Sequence, residues 1–347
     1  LNELNSFSYY FPPNIVKGRK TLNFILEIIK DKKKIGVMAD SFIMKNYYTY
    51  LNIQGKNTEK INFNGECSSR EFFRLKQIIL NKGIDCLVCM GGGKAMDIGK
   101  LLKRDINGLF LILVPTSAAT CAAVTSVSVV YDENSTYMKT VDSVCADFVI
   151  IDYEIFYKLP LAFFSAGIAD TIAKYFEIST VKKFLKVNDI YYNIILDLSE
   201  KLYIRLKEIT YNNWEKIDAA KKEELTDINI FFSGIISLLG RFNITVSAAH
   251  TIAHSLTTIN HSQKFLHGEY VAFGLFMQEN LLKNKKNVKE LQNIFIIHDL
   301  PIKLSQLNIY KNDINKIFEF YIKLKEKEKI IFPVNDKMVY NQLNKNL

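Results

Sequence analysis

Proline is scarce in this chain, with 6 residues among 347, and tryptophan occurs once. So little proline, with 15 glycines, excludes a collagen-like or linker-like polymer and leaves long uninterrupted elements available. Cysteine is also sparse: Cys67, Cys86, Cys89, Cys121 and Cys145 are odd in number and lack a tetrathiolate spacing. A disulfide-stapled scaffold and a structural zinc knuckle are therefore excluded. Cys86 and Cys89 have a redox-like spacing, but Leu87 and Val88 between them belong to an apolar run, so a buried strand is expected there. No apolar run reaches membrane-spanning length, and the start lacks the ordered basic, apolar and cleavage regions of a secretory signal. No membrane partner is expected, and cytoplasmic residence follows as the default. A concentrated run of charge of one sign is missing as well. The net charge is +9, but the basic groups at Lys32 to Lys34, at Lys283, Lys285, Lys286 and Lys289, and at Lys323, Lys325, Lys327 and Lys329 are dispersed and flanked by acids. They read as solvated helix faces, and no nucleic-acid partner is expected.

What is present is apolar mass: 48% hydrophobic residues, including 24 Phe and 18 Tyr, enough for two ordinary domains around sizeable cores. The first half alternates short apolar runs with helix-like segments. Lys34 to Ala39, Ile84 to Met90 and Leu109 to Val114 read as strands, the last stopped by Pro115. Residues 70–82, with Phe72, Phe73, Leu75, Ile78, Ile79 and Leu80, read as a helix with a broad apolar face. Near-continuous apolar strands alternating with helices predict a parallel, Rossmann-like sheet covered on both faces. After Ile151 and Asp152 the pattern changes to helices, expected over 160–180, 183–210, 221–240, 243–259, 269–283 and 311–326. The stripe Ile195, Leu198, Leu202 and Leu206 reads as one of these core helices. The expected organisation is a nucleotide-binding α/β domain over 1–155 and a helical metal-binding and catalytic domain over 156–347.

Two loops in the first half bear on ligand binding. Gly91-Gly92-Gly93-Lys94 directly follows a strand and leads into a helix through Asp97 and Gly99. Such glycines expose backbone N–H groups beside an electropositive helix end, a combination that can cradle a diphosphate. The spacing is neither Gly-x-Gly-x-x-Gly nor a Walker loop, so a structural turn is the competing reading. Lys94 sits near the bound charge or in solvent, and Asp97 supports the loop or approaches the ligand. The second segment, Pro115 to Cys121, offers Thr116, Ser117 and Thr120 to a ligand or fills a tight crevice.

Four of the five histidines, His250, His254, His261 and His267, fall in one short stretch. Four-residue spacing puts His250 and His254 on one helical face, and a connection could return His267 toward it. Two imidazoles and a carboxylate would satisfy a divalent metal and leave a position for water or an alcohol oxygen. Local spacing does not identify the carboxylate. Asp170, with Lys174 on the next turn, is a candidate, and a helix N-terminal charge is its alternative reading.

Taken in order, Gly91 to Lys100, Pro115 to Cys121, Ala166 to Lys174, Ala249 to His254 and His267 to Gly274 resemble the iron-containing alcohol dehydrogenase superfamily, in its glycerol dehydrogenase-like branch. The resemblance implies an α/β N-terminal Rossmann-like domain plus an all-helical C-terminal domain, the architecture shared with dehydroquinate synthase, with catalysis in the cleft. It implies NAD(H) and one divalent metal, zinc in preference to iron, held by Asp170, His250 and His267. His254 matches an active-site histidine for substrate binding or proton relay. Gly91, Gly92, Gly93, Lys94, Asp97, Thr116, Ser117 and Thr120 would lie along the cofactor, and Asp40 matches the adenosine-ribose position that favours NAD over NADP. The implied reaction is reversible oxidation of a small polyol or alcohol to its carbonyl by a homo-oligomer. One departure bears on the substrate: glycerol dehydrogenases often carry Asp where Cys121 stands, so the substrate side loses a carboxylate. A glycerol-1-phosphate dehydrogenase-like reduction of a phosphorylated ketone and a non-enzymatic nucleotide- or metal-binding role are the alternatives.

Overall fold

The computed structural model describes residues 11–53, 55–185, 190–212, 214–259 and 264–347. His261 lies outside them. Strands β1 (Asn14–Gly18), β2 (Ile35–Ala39), β3 (Thr58–Asn62), β4 (Cys86–Gly91), β5 (Phe110–Pro115) and β8 (Phe148–Asp152) form one sheet in the order β1-β8-β5-β4-β2-β3. Every pairing within it is parallel. Every residue of β2 and β4 is buried, as a sheet covered on both faces requires. Strands β6 (Val127–Tyr131) and β7 (Tyr137–Asp142) form a separate antiparallel hairpin. Cys86 and Cys89 are buried in β4, and burial pushes the Cys86 thiol up to about 12, which suits a packed strand and not a thiol centre.

The sheet helices are α1 (Ile25–Ile28), α2 (Ser41–Tyr47), α3 (Ser69–Lys82) and α4 (Gly93–Asp105), followed by α5 (Tyr153–Phe156). Helix α3 is bounded as its sequence dictates: Ser68 accepts from the Glu71 N–H at one end, and Gly83, at φ 61°, closes the other. Gly99 lets α4 settle onto the sheet, since a Cβ there would lie 2.7 Å from the Cys89 sulfur.

Among the described residues after Asp152 there is no strand. The helices are α6 (Leu161–Leu185), α7 (Ile190–Tyr211), α8 (Ala219–Thr226), α9 (Ser233–Thr245), α10 (Ala248–Leu256), α11 (His267–Leu281), α12 (Lys285–Ile297), α13 (Ile314–Lys327) and α14 (Asp336–Lys345). Three departures from the sequence expectation stand out. A π-helical turn, Asp227–Phe232, joins α8 to α9. The helix expected over 243–259 is divided, because the backbone leaves helical geometry at Ser247. Helices α12 and α14 lie in segments for which no helix was expected.

Candidate active site

The carboxyl ends of β4 and β5 are locked together. Gly91 and Pro115 are register partners, and the Thr116 N–H donates to the Gly91 carbonyl at 2.9 Å. The two candidate loops of the sequence are thereby side by side at the carboxyl edge of the sheet, where open α/β folds place nucleotides. Gly91 has φ +153°, and a Cβ on Gly93 would lie 2.9 Å from the Thr120 hydroxyl. Gly92 caps α4 with no side-chain acceptor, so the helix start presents backbone to the loop mouth. Ser117 Oγ accepts from the Ala119 N–H at 3.2 Å and Thr120 Oγ1 from the Ala122 N–H at 3.5 Å, which turns the second loop back on itself. Asp40 ends β2 and caps α2 by accepting from the Ile43 N–H at 2.9 Å.

The charged side chains of the glycine segment turn elsewhere. Lys94 pairs with Glu66 at 2.6 Å and lies over the Tyr131 ring. Asp97 is buried, pairs with Lys100 at 2.9 Å and accepts from the Val129 N–H at 3.1 Å, so its carboxylate supports the β6–β7 hairpin. The fully buried Lys100, which sequence reasoning did not single out, donates to the Ala122 carbonyl at 2.8 Å, to Thr125 at 3.1 Å and to the Val127 carbonyl. It fastens the chain that follows Cys121 beneath α4.

Across the cleft, Asp170 on α6, His250 on α10 and His267 at the start of α11 converge: one donor atom from each lies within 4.8 Å of the others. The His250 Nε2 is 3.1 Å, and the His267 Nε2 3.8 Å, from Asp170 Oδ1. Small residues make this approach sterically allowed. A Cβ on Gly268 would stand 1.9 Å from the Ala166 carbonyl oxygen, and one on Gly274 2.2 Å from that of Ala249. Gly167 likewise leaves room for the Ala118 carbonyl and the buried Asn229 of the π-turn, which donates to the Phe164 carbonyl at 3.2 Å.

Glu177, fully buried two turns beyond Asp170, was not identified from sequence. It accepts from the Ser247 N–H at 2.7 Å, from the His250 N–H at 3.1 Å and from the His250 Nδ1–H. One carboxylate therefore caps α10 and fixes the imidazole tautomer, leaving Nε2 directed to the other donors. Without an ion, burial pulls His250 down, but Glu177 and Asp170 outweigh it and hold the imidazole up at about 10. For Asp170, burial is likewise outweighed, by Lys174 and then by the two histidines, so its carboxyl stays well below the usual range. Burial drives His267 down to about 4 and His254 well below its ordinary value, so both are neutral donors near pH 7.

His254 lies beside this group, its ring centroid 5.8 Å from that of His267. It stacks on Tyr137 at 3.8 Å and 6°, and its buried Nδ1 has no hydrogen-bond partner. The Cys121 sulfur is 3.7 Å from both the Lys174 ammonium and the Ser237 hydroxyl. Lys174 donates to Asp170 Oδ2 at 2.9 Å and to Ser233 at 2.7 Å. The π-turn sets the face of α9 that carries Ser233 and Ser237.

A glycine loop at the carboxyl edge of a parallel sheet, facing two imidazoles and a carboxylate, is the arrangement that a nucleotide-dependent, metal-assisted enzyme calls for. The family model for iron-containing alcohol dehydrogenases matches residues 12–153. Hydroxycarboxylate dehydrogenase A of Escherichia coli is 30% identical over 266 residues, 73% of this chain and 70% of its own length. Glycerol dehydrogenase of Thermotoga maritima is 28% identical over 317 residues, 86% of this chain and 84% of its own. The crystal structure of a probable glycerol dehydrogenase from Sinorhizobium meliloti superposes with a TM-score of 0.84 at 20% identity over 98% of each chain. The chain belongs to the iron-containing alcohol dehydrogenase family, in its glycerol dehydrogenase-like branch. It is a metal-dependent alcohol or polyol dehydrogenase. No helix among the described residues is long and apolar enough to cross a membrane.

Proposed function

We propose that this chain oxidises a small polyol or α-hydroxy compound reversibly, with zinc held by Asp170, His250 and His267 and NAD bound across the β4 and β5 loops. The observation that carries this reading is the convergence of those three donors on helices that glycines hold in van der Waals contact. The donor set suits the ion: two imidazoles and one carboxylate leave a fourth position open, and Glu177 holds His250 in the ligating tautomer. We prefer zinc to iron because the hydride transfer asks only Lewis acidity of the ion, which zinc supplies with no redox chemistry of its own, and iron(II) is the alternative that the family's description suggests. When bound, the ion stabilises negative charge on the substrate oxygen and the nicotinamide accepts the hydride.

The chain's own residues then divide the work. Gly91, Gly92 and Gly93 offer backbone to the diphosphate, Thr116, Ser117 and Thr120 line the approach to the nicotinamide, and Asp40 meets the adenosine ribose. His254, neutral and with a buried unpaired Nδ1, is positioned to hold or pass the substrate proton. Lys94 and Asp97 act one layer back, through Glu66 and the hairpin. We place the boundary between the nucleotide-binding and catalytic domains at residues 155/156, just after the last strand, β8.

The test is a metal-stripped protein reconstituted with zinc or iron(II) and assayed with NAD against glycerol, 1,2-propanediol, 2-hydroxy acids and simple alcohols, and with NADH against the matching carbonyls. NADH formation on at least one hydroxyl compound, restored best by zinc, is the expected result. A folded, metal-loaded protein inactive in both directions across the panel contradicts it.

A further inference from the structure

Where the substrate side of the cleft meets the metal-binding helices, the structure buries a cation. Lys174 is 4% exposed. Two of its ammonium protons have strong acceptors, Asp170 Oδ2 at 2.9 Å and Ser233 Oγ at 2.7 Å. What remains is a 3.5 Å approach to the Asp170 carbonyl and a 3.7 Å contact with the Cys121 sulfur, a weak acceptor that a carboxylate oxygen would displace readily. Beyond that sulfur, at 3.7 Å, stands the Ser237 hydroxyl, which donates to the Ser233 carbonyl at 3.2 Å and would have to turn from it to meet an incoming acceptor. Cys121 contributes no carboxylate to oppose the ammonium. With a divalent ion in place, Asp170 and Glu177 do not offset the positive charge of ion and ammonium together.

We propose that Lys174, Cys121 and Ser237 form a carboxylate-recognition strip, and that the preferred substrate is a 2-hydroxy acid or its 2-oxo counterpart rather than a neutral polyol. The spacing is set by Asp170, whose Oδ1 faces the two histidines while its Oδ2 takes Lys174. An ion held at Oδ1 would thus stand about one carboxylate's width from the ammonium at Oδ2, an interval that a hydroxyl and a carboxylate on adjacent carbons would span. The inference rests on the metal-assisted dehydrogenase reading above. In the forward direction the carbinol C–H bond breaks with its electron pair passing to NAD. The C–O bond becomes a carbonyl, the hydroxyl proton leaves to solvent, and the products are the 2-oxo acid and NADH.

The experiment compares 2-hydroxybutyrate with 1,2-butanediol, which share a carbon skeleton, on the zinc-reconstituted enzyme. Wild type should favour the acid in kcat/KM by at least ~10-fold. Cys121→Ser should keep that preference, and Cys121→Asp, which sets a carboxylate against the incoming one, should lower the acid-to-diol ratio by ~10-fold or more. Calorimetry with 2-hydroxyisobutyrate, which has no carbinol hydrogen to transfer, reads recognition without turnover and should show saturable binding that Cys121→Asp weakens. A wild-type preference for the diol, an acid preference untouched by Cys121→Asp, or no binding of 2-hydroxyisobutyrate overturns the proposal. Binding of that acid without turnover of either compound in either direction supports the strip and instead counts against the dehydrogenase reading.

Discussion

The two walls of the cleft are built differently. On the sheet side, the ligand-facing surface is largely backbone: Gly91 to Gly93 and the loop from Thr116 to Thr120 are held by main-chain register, and the nearby charged groups of Lys94, Asp97 and Lys100 are spent on internal partners. On the helical side, the surface is side chain: Asp170, His250, His254 and His267 project from three helices that touch at glycines. Backbone cradles tolerate loss of any one polar side chain but not an added Cβ. Ligand sets fail when one donor goes and weaken when a supporting group goes.

The sharpest break of that contrast is Asp170→Asn. It should abolish stoichiometric metal binding and reduce turnover by more than ~100-fold, measured by metal analysis and initial rates. An asparagine variant that keeps its ion with undiminished affinity would contradict the carboxylate's part in holding it. Next is Gly268→Ala. Its methyl would meet the Ala166 carbonyl, so the helices must separate, with an expected loss of about 1–3 kcal/mol in denaturant unfolding and lower metal occupancy. Glu177→Gln keeps the shape of the cap but weakens the hold on the His250 tautomer. Chelator competition should show metal affinity lower by ~10–100-fold in an otherwise folded protein.

On the sheet side, Gly93→Ala should raise the KM for NAD several-fold with metal content unchanged, because its methyl presses on Thr120. A fall in metal content instead would mean that the two walls are not independent. The last comparison is the pH dependence after metal removal. The metal-free His250 is raised to about 10, above its unfolded value, so its contribution to stability is full below about pH 6.5 and is lost as pH climbs toward 10. Thermal melts of the chelated protein should fall across that window, and Glu177→Gln should flatten the slope.

The sheet was legible in the sequence because its buried strands are continuous apolar runs: expected strands at 34–39, 84–90 and 109–114 correspond to β2, β4 and β5 within two residues at either end. Strand β3, with Glu59 half-buried and Lys60 and Asn62 exposed, carries no such signal. The divided helix at Ser247 escaped notice because its cap is Glu177, seventy residues away, and not a neighbouring side chain. The same remoteness hid Glu177 itself and the buried Lys100. His250, His254 and His267 were conspicuous by spacing, whereas Asp170 could be weighed only as one candidate, since what brings it to them is a helix crossing. The side chains of Lys94 and Asp97 illustrate the converse: position beside a glycine run does not decide which way a side chain turns, and here Glu66 and the β6–β7 hairpin decide it.

Anomalous diffraction at the zinc edge from crystals of the reconstituted protein addresses the central claim most directly. The account requires one peak per chain within bonding distance, about 2.0–2.2 Å, of an Asp170 oxygen and the Nε2 atoms of His250 and His267, with Glu177 outside that shell. A peak held by other residues, or none at these three in a folded protein, would contradict it.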